Sequence, residues 1–356
     1  MIRILFVGGG TAGPVALLLA LAEAIKQRDD LHVLGLVGTA SGPERMLAEQ
    51  QELAFFSIIA PKLRRYLDWR TVLMPFEFII GCVQSLRLIL KLRPSVVVSG
   101  GSFVGVPLVV MARLCGIPSI IHQQDVEPSL ANRVVAPFAT KITVTFSDSV
   151  KVFPPHKVVV MGNPVRASIF EGSVERAREF FKLESDIPAV LIMGGGTGAT
   201  ALNELVIASL PELTKFCQIV HLTGKGKLLT THYSLPTTAR YHPFELLTKE
   251  MADAFTVADV VVARAGVGTI TELAALGKPA ILIPMPGTHQ EANVKYLTDR
   301  NAAIGMSQVG LKPEQFAAAI QNLINDQSKR EALQQEIKKI NPANAVDRFI
   351  KIILEI

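Results

Sequence analysis

The feature that most constrains this chain is a strand, a glycine-rich loop and a helix that follow one another twice. Ile4–Val7 is an apolar run that leads into Gly8–Gly13, and Val190–Met193 leads into Gly194–Gly198. A helical pattern follows each loop. Elsewhere short β-rich runs alternate with helical stretches, which is typical of βαβ units and parallel sheets. We therefore expect an α/β protein with two Rossmann-like, doubly wound parallel-sheet domains.

Apolar runs rich in β-branched residues are the strand candidates. They are Arg3–Val7, His32–Val37, Val96–Ser99, Ser119–His122, Lys141–Thr145, Lys157–Val160, Ala189–Met193, Cys217–Leu222, Val260–Ala263 and Ala280–Ile283. A chain of 356 residues is too long for one ordinary core. Because Pro and Gly interrupt the pattern near Met161–Pro164, we predict an N-terminal domain over 1–162 and a C-terminal domain over 163–342. A last helix over 343–356 is predicted to pack back on the N-terminal domain.

Composition excludes several classes of protein. A hydrophobic content of 49% and a charged content of 19% argue against disorder. The longest apolar run, Phe103–Ile121, is interrupted by Arg113, Gly116 and Pro118, so no membrane span is expected. Ala12–Ala24 resembles a signal-peptide core, but the strand and glycine loop before it favour a buried helix. Three distant cysteines predict neither a metal site nor a disulfide framework, which suits a reducing cytoplasm.

The glycine loops predict anion binding. Gly8–Gly13 fits G-x-G-x-x-G, and Pro14 suits the first helical turn after it. Binding of NAD would require an acid at the end of the second strand, but Val37–Gly42 contains none and the first acid is Glu44. This counts against a dinucleotide. Gly194–Gly198 either holds a diphosphate in the same way or forms a tight turn that needs glycine.

A third glycine-containing segment, Arg264–Glu272, joins a strand end to a helix that we expect to begin near Thr269. In the functional interpretation, a diphosphate lies over the amides of Gly266–Thr269 and Glu272 accepts two ribose hydroxyls. In the alternative, Thr269 and Glu272 have capping-box spacing and Glu272 only caps the helix. The local sequence leaves both open.

Polar residues also follow the strand candidate Ala280–Ile283. His289, Gln290 and Asn293 come after it, at the sheet edge where ligands of α/β proteins bind. Amide and imidazole groups can bind sugar hydroxyls, although an ordinary polar turn before a helix has the same composition.

The stretch Lys62–Ile80 combines four cations with the only Trp, a Tyr and two Phe. Aromatic residues beside cations are typical of a peripheral membrane surface. The alternative is a buried amphipathic helix with solvated cations. Nucleic-acid binding is not expected, because the cations form no long stripe.

Several motifs together occur in the order of one known family. They are Gly8–Gly13, Lys62–Tyr66, Ser99–Ser102, Gly116–Asp125, Leu130–Arg133, Gly162–Arg166, Gly194–Ala199, Arg264–Glu272 and His289–Asn293. On these motifs, which span nearly the whole chain, the sequence resembles the MurG-type N-acetylglucosamine transferases of glycosyltransferase family 28. Enzymes of this family convert lipid I into lipid II in peptidoglycan synthesis, and so serve cell-wall biogenesis, cell shape and cell division.

The resemblance implies a GT-B fold, with two Rossmann-like domains facing a cleft, and an inverting hexosyl transfer without metal or cofactor. The implied donor is UDP-N-acetylglucosamine (UDP-GlcNAc), and the implied acceptor is undecaprenyl-diphosphate-linked N-acetylmuramyl-pentapeptide. It also implies a peripheral protein at the cytoplasmic face of the cell membrane that contacts anionic inner-membrane lipids. The implied substrate-binding residues are Thr11, Ala12, Gly13, Asn132, Arg166, Gly196, Thr197, Leu247, Thr248, Val267, Gly268, Thr269, Ile270, Thr271, Glu272, His289, Gln290 and Asn293.

This chain departs from the family pattern at several positions. They are Pro14 for a His, Leu17 for a Pro, Gln123 for a Glu, Asp125 for an Asn and Gly196 for a Ser. Since the first loop lacks its His, we predict that Asp125 acts as or supports the general base, with His122 as the alternative base or as the residue that orients Asp125. Asp125 can instead cap a helix whose first turn holds Glu127 and Pro128.

Two rival functions remain open. One is another UDP-sugar enzyme of the GT-B fold, such as a glycolipid synthase or a 2-epimerase. The other is a catalytically silent, membrane-associated homologue that still binds UDP.

Overall fold

The computed structural model describes residues 1–11, 13–61, 74–195, 198–227 and 239–356. The chain folds into two compact units, of which the first comprises Met1–Arg166 with Pro342–Ile356 and the second Ala167–Asn341. Ala12, Gly196, Thr197 and most of the Lys62–Ile80 stretch lie outside the described residues. None of the helices described is long and apolar enough to cross a membrane.

Within the described residues, the first unit is built on a seven-stranded sheet. Its strands are β1 (Ile2–Val7), β2 (Leu31–Gly38), β3 (Phe55–Ser57), β4 (Val96–Ser99), β5 (Ser119–Gln123), β6 (Lys141–Val144) and β7 (Val158–Val160). All pairs are parallel, in the order β3-β2-β1-β4-β5-β6-β7. Every residue of β4 and β5 is buried, as expected for a parallel sheet covered on both faces.

Helices connect these strands. They are α1 (Gly13–Ile25), α2 (Glu44–Gln50), α3 (Met74–Leu92), α4 (Gly105–Leu114) and α5 (Leu130–Val135). The side chains of Leu17, Leu18 and Leu21 on α1 are almost wholly buried. This burial explains why the stretch is apolar enough to resemble a signal-peptide core.

The second unit repeats the architecture. Its strands are β8 (Ala189–Met193), β9 (Gln218–Leu222), β10 (Tyr241–Phe244), β11 (Val260–Ala263), β12 (Ala280–Leu282) and β13 (Ile304–Gly305). They form a parallel sheet in the order β10-β9-β8-β11-β12-β13.

The remaining helices complete both units. They are α6 (Val174–Phe181), α7 (Thr200–Leu213), α8 (Met251–Val257), α9 (Val267–Leu276), α10 (Gln290–Thr298), α11 (Pro313–Asn325), α12 (Gln327–Lys338) and α13 (Ala345–Leu354). The last helix, α13, returns to the first unit and packs against α1. Phe349 and Ile353 of α13 belong to the same apolar cluster as Leu17 and Leu18.

The first unit extends to Arg166, beyond the boundary that the sequence indicates. Met161 is fully buried in its core, and Asn163 is held by a side-chain hydrogen bond to His122 in β5. Arg166, which we expected within the C-terminal domain, is therefore the last residue of the first unit.

The predicted fold class, two doubly wound parallel-sheet units, is confirmed. In each sheet the strand order reverses once, between β1 and β4 in the first and between β8 and β11 in the second. Ligands of doubly wound proteins bind outside the carboxyl ends of the strands at such a reversal. Both glycine loops follow strands at these two points.

Candidate active site

The first glycine loop connects β1 to α1. Gly10 has φ +82°, and a Cβ there would lie 2.7 Å from the ring of Phe103, so the position requires glycine. For a Cβ on Gly13, by contrast, the nearest described atom would be Gln124 Oε1 at 3.6 Å, which is an ordinary van der Waals distance. Gly10 is thus packed against its surroundings, whereas Thr11 and Gly13, the open tip of the loop at the start of α1, are exposed. An anion can approach backbone amides at this tip.

The buried carboxylate of Glu44 holds this loop by hydrogen bonds. The sequence alone does not indicate this role. Glu44 Oε1 accepts hydrogen bonds from the backbone N–H of Thr39 at 2.7 Å and of Gly10 at 3.3 Å. Glu44 is fully buried. This acid is therefore unavailable to the ribose hydroxyls of a dinucleotide and braces the loop instead.

Two further loops of the first unit meet the start of α1. After β4, a Cβ on Gly100 would lie 2.1 Å from the Pro14 carbonyl oxygen, so this loop packs directly on the helix. After β5, Gln124 Nε2 donates to the Gly13 carbonyl at 3.1 Å. The segment that contains Asp125 is thereby joined to the first glycine loop.

A buried amide clamp shapes the turn after β5. Gln123 Nε2 donates to the carbonyls of Asp125 at 2.8 Å and Glu127 at 3.1 Å. A glutamate could not donate these bonds, so Gln123 suits the turn of this chain. Gln123 Oε1 accepts from Asn132 Nδ2 at 2.8 Å. Asn132, predicted to bind substrate, is only 2% exposed. The prediction is corrected, because its side chain is part of the clamp.

Asp125 does not cap the helix that follows. The N-cap of α5 is Ser129, whose Oγ accepts from Asn132 N at 3.1 Å, and the helix begins at Leu130. The capping alternative for Asp125 is therefore wrong. Asp125 is half-buried and directly follows Gln124, which touches the first glycine loop. Its role as the base stays a prediction.

The structure argues against His122 as a base. Its Nδ1 lies 2.9 Å from Thr143 Oγ1, and its Nε2 lies 3.2 Å from both Asn163 Oδ1 and Thr145 Oγ1. The ring is fully buried, and this burial lowers the pKa of His122 to about 4. A ring engaged on both nitrogens and closed to solvent cannot accept a proton from a bound acceptor.

In the second unit, the second glycine loop joins β8 to α7. Gly198 has φ +68°, and a Cβ there would lie 2.1 Å from the Thr223 carbonyl oxygen. Gly198 is therefore packed against the segment after β9. Contacts predicted for Gly196 and Thr197 fall outside the described residues.

The start of α9 is open. The helix begins at Val267 with Gly266 as its N-cap, and no side chain caps it in the part of the chain that the structure describes. Neither Gly266 nor Gly268 has a left-handed backbone, and a Cβ at either would meet no described atom within 4 Å. The fold therefore requires glycine at neither position. Their small size leaves room for a ligand at the first-turn amides, where the helix dipole favours an anion.

Glu272 is not a capping residue. With Gly266 as the N-cap, the third helical position is Thr269, and Glu272 lies in the second turn. The capping-box alternative is therefore wrong, because the helix begins two residues before the predicted start. Glu272 is half-buried on α9.

Three residues of the predicted binding stretch turn their side chains to the core. Val267, Ile270 and Thr271 are 5%, 0% and 1% exposed. The Thr271 hydroxyl donates to the Val267 carbonyl at 3.0 Å. Only the backbone of these three residues is available to a ligand. The prediction that they bind substrate is therefore corrected to exclude contacts from their side chains.

The loop after β12 is tied to the start of α9. Asn293 Nδ2 donates to the Ala265 carbonyl at 3.0 Å, and Asn293 is fully buried. Asn293 is therefore a link between the two segments, which corrects its prediction as a sugar ligand. His289 is exposed, and Gln290 is half-buried with its Oε1 accepting from Met285 N at 3.0 Å.

Arg264 strengthens the same connection, although the sequence assigned it no role. Its Nη1 donates to the carbonyls of Ile283 and Pro284, both at 3.0 Å, and its Nη2 donates to Gln308 Oε1. Arg264 is 6% exposed, and burial lowers the pKa of its guanidinium. The predicted residues Gly268–Glu272 and His289–Gln290 are thus brought together at one sheet edge.

Leu247 and Thr248 follow the edge strand β10. Leu247 is buried, whereas Thr248 is exposed and its backbone N–H donates to Glu250 Oε2 at 3.4 Å. The side chain of Thr248, not that of Leu247, is therefore accessible to a ligand.

A cavity of about 610 Å³ in the second unit lies away from these loops. Its lining includes Ala189, Gln218, Asp259 and Lys278, which stand at or just before the amino ends of β8, β9, β11 and β12. Since ligands of doubly wound sheets bind at the opposite edge, we do not assign the substrate to this cavity.

Two doubly wound units, each with a glycine-rich loop at its strand-order reversal, together with the open start of α9, define the GT-B class of nucleotide-sugar enzymes. Family comparison agrees, since the glycosyltransferase family 28 N-terminal domain matches residues 4–144 and the C-terminal domain matches residues 189–349. The chain belongs to glycosyltransferase family 28.

Relatives are similar over their whole length. A UDP-N-acetylglucosamine–N-acetylmuramyl-(pentapeptide) pyrophosphoryl-undecaprenol N-acetylglucosamine transferase of Legionella pneumophila (strain Paris) is 35% identical over 99% of this chain and 96% of its own. The transferase of the same name from Lachnoclostridium phytofermentans is 35% identical over 100% and 99%. The crystal structure of Acinetobacter baumannii MurG matches all of both chains with a TM-score of 0.77 and 25% identity. A UDP-GlcNAc 2-epimerase from Neisseria meningitidis, at 13% identity and a TM-score of 0.71, shares the fold.

Proposed function

We propose that this chain transfers N-acetylglucosamine from UDP-GlcNAc to undecaprenyl-diphosphate-linked N-acetylmuramyl-pentapeptide, converting lipid I to lipid II in peptidoglycan synthesis. The names of its full-length relatives state this transfer. The structural observation that carries the proposal is the open start of α9. The fold does not require glycine at Gly266 or Gly268, and the absence of side chains there leaves room for a ligand.

The donor is proposed to bind the second unit. Its diphosphate lies over the amides of Gly268 and Thr269, and Glu272, one turn further along α9, accepts hydrogen bonds from two ribose hydroxyls. His289 and Gln290 contact the sugar. As the glycosidic bond breaks, UDP gains negative charge, and the first-turn amides and helix dipole stabilise that charge.

The acceptor is proposed to bind the first unit, with its diphosphate at the open tip formed by Thr11 and Gly13. Asp125 takes the proton from the acceptor hydroxyl, whose oxygen attacks the anomeric carbon of N-acetylglucosamine. The bond from that carbon to the UDP oxygen breaks in the same displacement, so the configuration inverts. Partial exposure of Asp125 and the bond from Gln124 to Gly13 support this role.

The membrane is proposed to contact α3. This helix exposes an apolar stripe with helical spacing, in which Phe76, Ile79 and Val83 are 63%, 59% and 45% exposed. Arg87 and Lys91 are exposed further along the same helix. Apolar groups beside cations suit the headgroup region of an anionic bilayer. We propose a peripheral position at the cytoplasmic face, where the lipid-linked acceptor would be reached.

A label-transfer assay tests the function. The full-length protein is incubated with UDP-GlcNAc radiolabelled in the sugar and with a lipid I analogue, and label is followed into the lipid product. The proposal expects label in lipid and an equal release of UDP. Label that appears in soluble N-acetylmannosamine derivatives without acceptor would indicate a 2-epimerase. UDP binding without any turnover would indicate a silent homologue.

A further inference from the structure

Lys227 places a cation beside the second glycine loop. Its backbone N–H donates to the Gly224 carbonyl at 3.0 Å in a turn after β9, and its Nζ donates to the Gly198 carbonyl at 3.2 Å. The two loops are in direct contact, because a Cβ on Gly198 would lie 2.1 Å from the Thr223 carbonyl oxygen. None of the motifs that indicate the function includes this lysine.

The segment that leads to Lys227 is anchored at Thr223, directly after the end of β9. Asn203 in α7 donates from Nδ2 to the Thr223 carbonyl at 2.9 Å, and its Oδ1 lies 3.2 Å from His221 Nε2. Asn203 and His221 are both buried. The Lys227 side chain is half-buried and so reaches solvent. A half-buried lysine whose ammonium contacts the glycine loop is in a position to meet a ligand bound at that loop.

Strand order brings the segment that carries Lys227 to the same sheet edge as the proposed diphosphate site. Strand β8 lies between β9 and β11, and neighbouring strands are about 4.8 Å apart. Gly198, which follows β8, therefore lies between the segment that carries Lys227 and the open start of α9. Arg264, the cation on the other side, is buried and donates to backbone carbonyls and Gln308.

We propose that Lys227 is a further donor-binding residue, whose ammonium exchanges the Gly198 carbonyl for a phosphate oxygen of the nucleoside diphosphate. In the transfer reaction it neutralises charge that develops on UDP as the glycosidic bond breaks. The inference rests on the proposed function, because that function places the donor diphosphate at this edge.

Calorimetry with UDP and with uridine tests the assignment, because uridine lacks the diphosphate. For Lys227→Met we expect UDP affinity to fall about tenfold or more, as for a lost hydrogen bond to a charged group, with uridine affinity unchanged. Turnover with UDP-GlcNAc is expected to fall by about 10² or more, the loss seen when one preorganised charge-stabilising donor is removed. Lys227→Arg, which keeps the charge, should retain part of the affinity.

Lys225 supplies the matched control, since it is an exposed cation in the same segment. Lys225→Met should change UDP affinity by no more than about twofold, as for an ordinary surface substitution. Equal losses of UDP and uridine affinity in Lys227→Met, or no loss, would overturn the assignment and leave a purely structural bond to Gly198. If Lys227→Met selectively loses UDP affinity but the wild-type protein transfers no sugar, the result would support the assignment and contradict the proposed function.

Discussion

Gln124 donates a hydrogen bond of 3.1 Å from its Nε2 to the backbone carbonyl of Gly13, the first residue of α1. The bond joins the carboxyl end of β5 to the first glycine loop, past the intervening strand β4. Because Asp125 follows Gln124 directly, this contact also limits how far the carboxylate can move from the open tip of the loop.

Removing this contact should affect the acceptor alone. Gln124→Ala is expected to raise the KM for the lipid acceptor by about 2- to 10-fold, the range for one neutral hydrogen bond, with UDP affinity unchanged. Steady-state kinetics with a lipid I analogue and calorimetry with UDP measure the two effects. Gln335→Ala, on the exposed face of α12, is the control. An unchanged acceptor KM would show that the bond does not position the acceptor site.

Asp125→Asn tests the general base. Asparagine has nearly the same size but cannot take the proton, so turnover should fall by roughly 10²–10⁴ while UDP affinity and Tm stay the same. Glu127→Gln is the matched control, since Glu127 is an exposed carboxylate two residues away. If Asp125→Asn turns over at a near-normal rate, another group accepts the proton.

Glu272→Ala tests the ribose contact. Loss of a charged hydrogen-bond acceptor should weaken UDP binding by about 1.5–3 kcal/mol, with Tm nearly unchanged because Glu272 is not the cap of α9. Calorimetry with UDP and with 2′-deoxy-UDP, which lacks one ribose hydroxyl, tests the ribose contact directly. The wild type should prefer UDP, and Glu272→Ala should lose that preference. Retention of the preference in the variant would place the ribose elsewhere.

The sequence predicts the central strands well, but of the four edge strands described it predicts only β7. The candidates Val96–Ser99, Ala189–Met193 and Val260–Ala263 coincide with β4, β8 and β11, because strands buried on both faces are continuously apolar. The strands β3, β10 and β13 were not predicted. They are two to four residues long, mostly half-buried, and lie at sheet edges, so their composition resembles that of loops.

For the candidate site, the sequence identifies segments better than individual contacts. Asn132, Asn293 and His122 read as ligands or bases, yet each is buried and satisfies partners inside its own unit. A polar side chain that binds a substrate and one that satisfies buried groups have the same chemistry, and only burial separates them. The start of α9 was misplaced by two residues because Gly266 and Gly268 are also typical of a turn.

Negative charge introduced into the exposed apolar stripe of α3 should weaken binding of the protein to membranes. The double variant Ile79→Glu, Val83→Glu removes two apolar contacts that are each worth about 1.5–3 kcal/mol when buried, so vesicle binding should fall at least tenfold. Flotation with vesicles that contain anionic phospholipid measures this. Val309→Glu, an equally drastic change at a residue 75% exposed in the second unit, is the control. Undiminished flotation of the double variant would exclude α3 as the contact.

His122 should make stability depend on pH. Its pKa is about 4 in the folded chain against an ordinary value of 6.5, so between these values the unfolded chain binds a proton that the folded chain does not. Stability therefore falls as the pH drops from 6.5 towards 4, with a slope that approaches about 1.4 kcal/mol per pH unit for this residue. Urea unfolding at pH 5 and pH 7 should show a smaller pH difference for His122→Gln. An equal difference in both proteins would contradict the burial of a neutral imidazole.

The anomeric configuration of the product tests the central claim most directly. UDP-GlcNAc carries its sugar in α linkage, so a single displacement at the anomeric carbon must give a β-linked product. Purified protein, UDP-GlcNAc and a lipid I analogue should yield a lipid heavier by one N-acetylhexosamine by mass spectrometry, with a β-glycosidic signal by NMR. An α-linked product, or an unmodified lipid beside intact or epimerised UDP-sugar, would contradict the account.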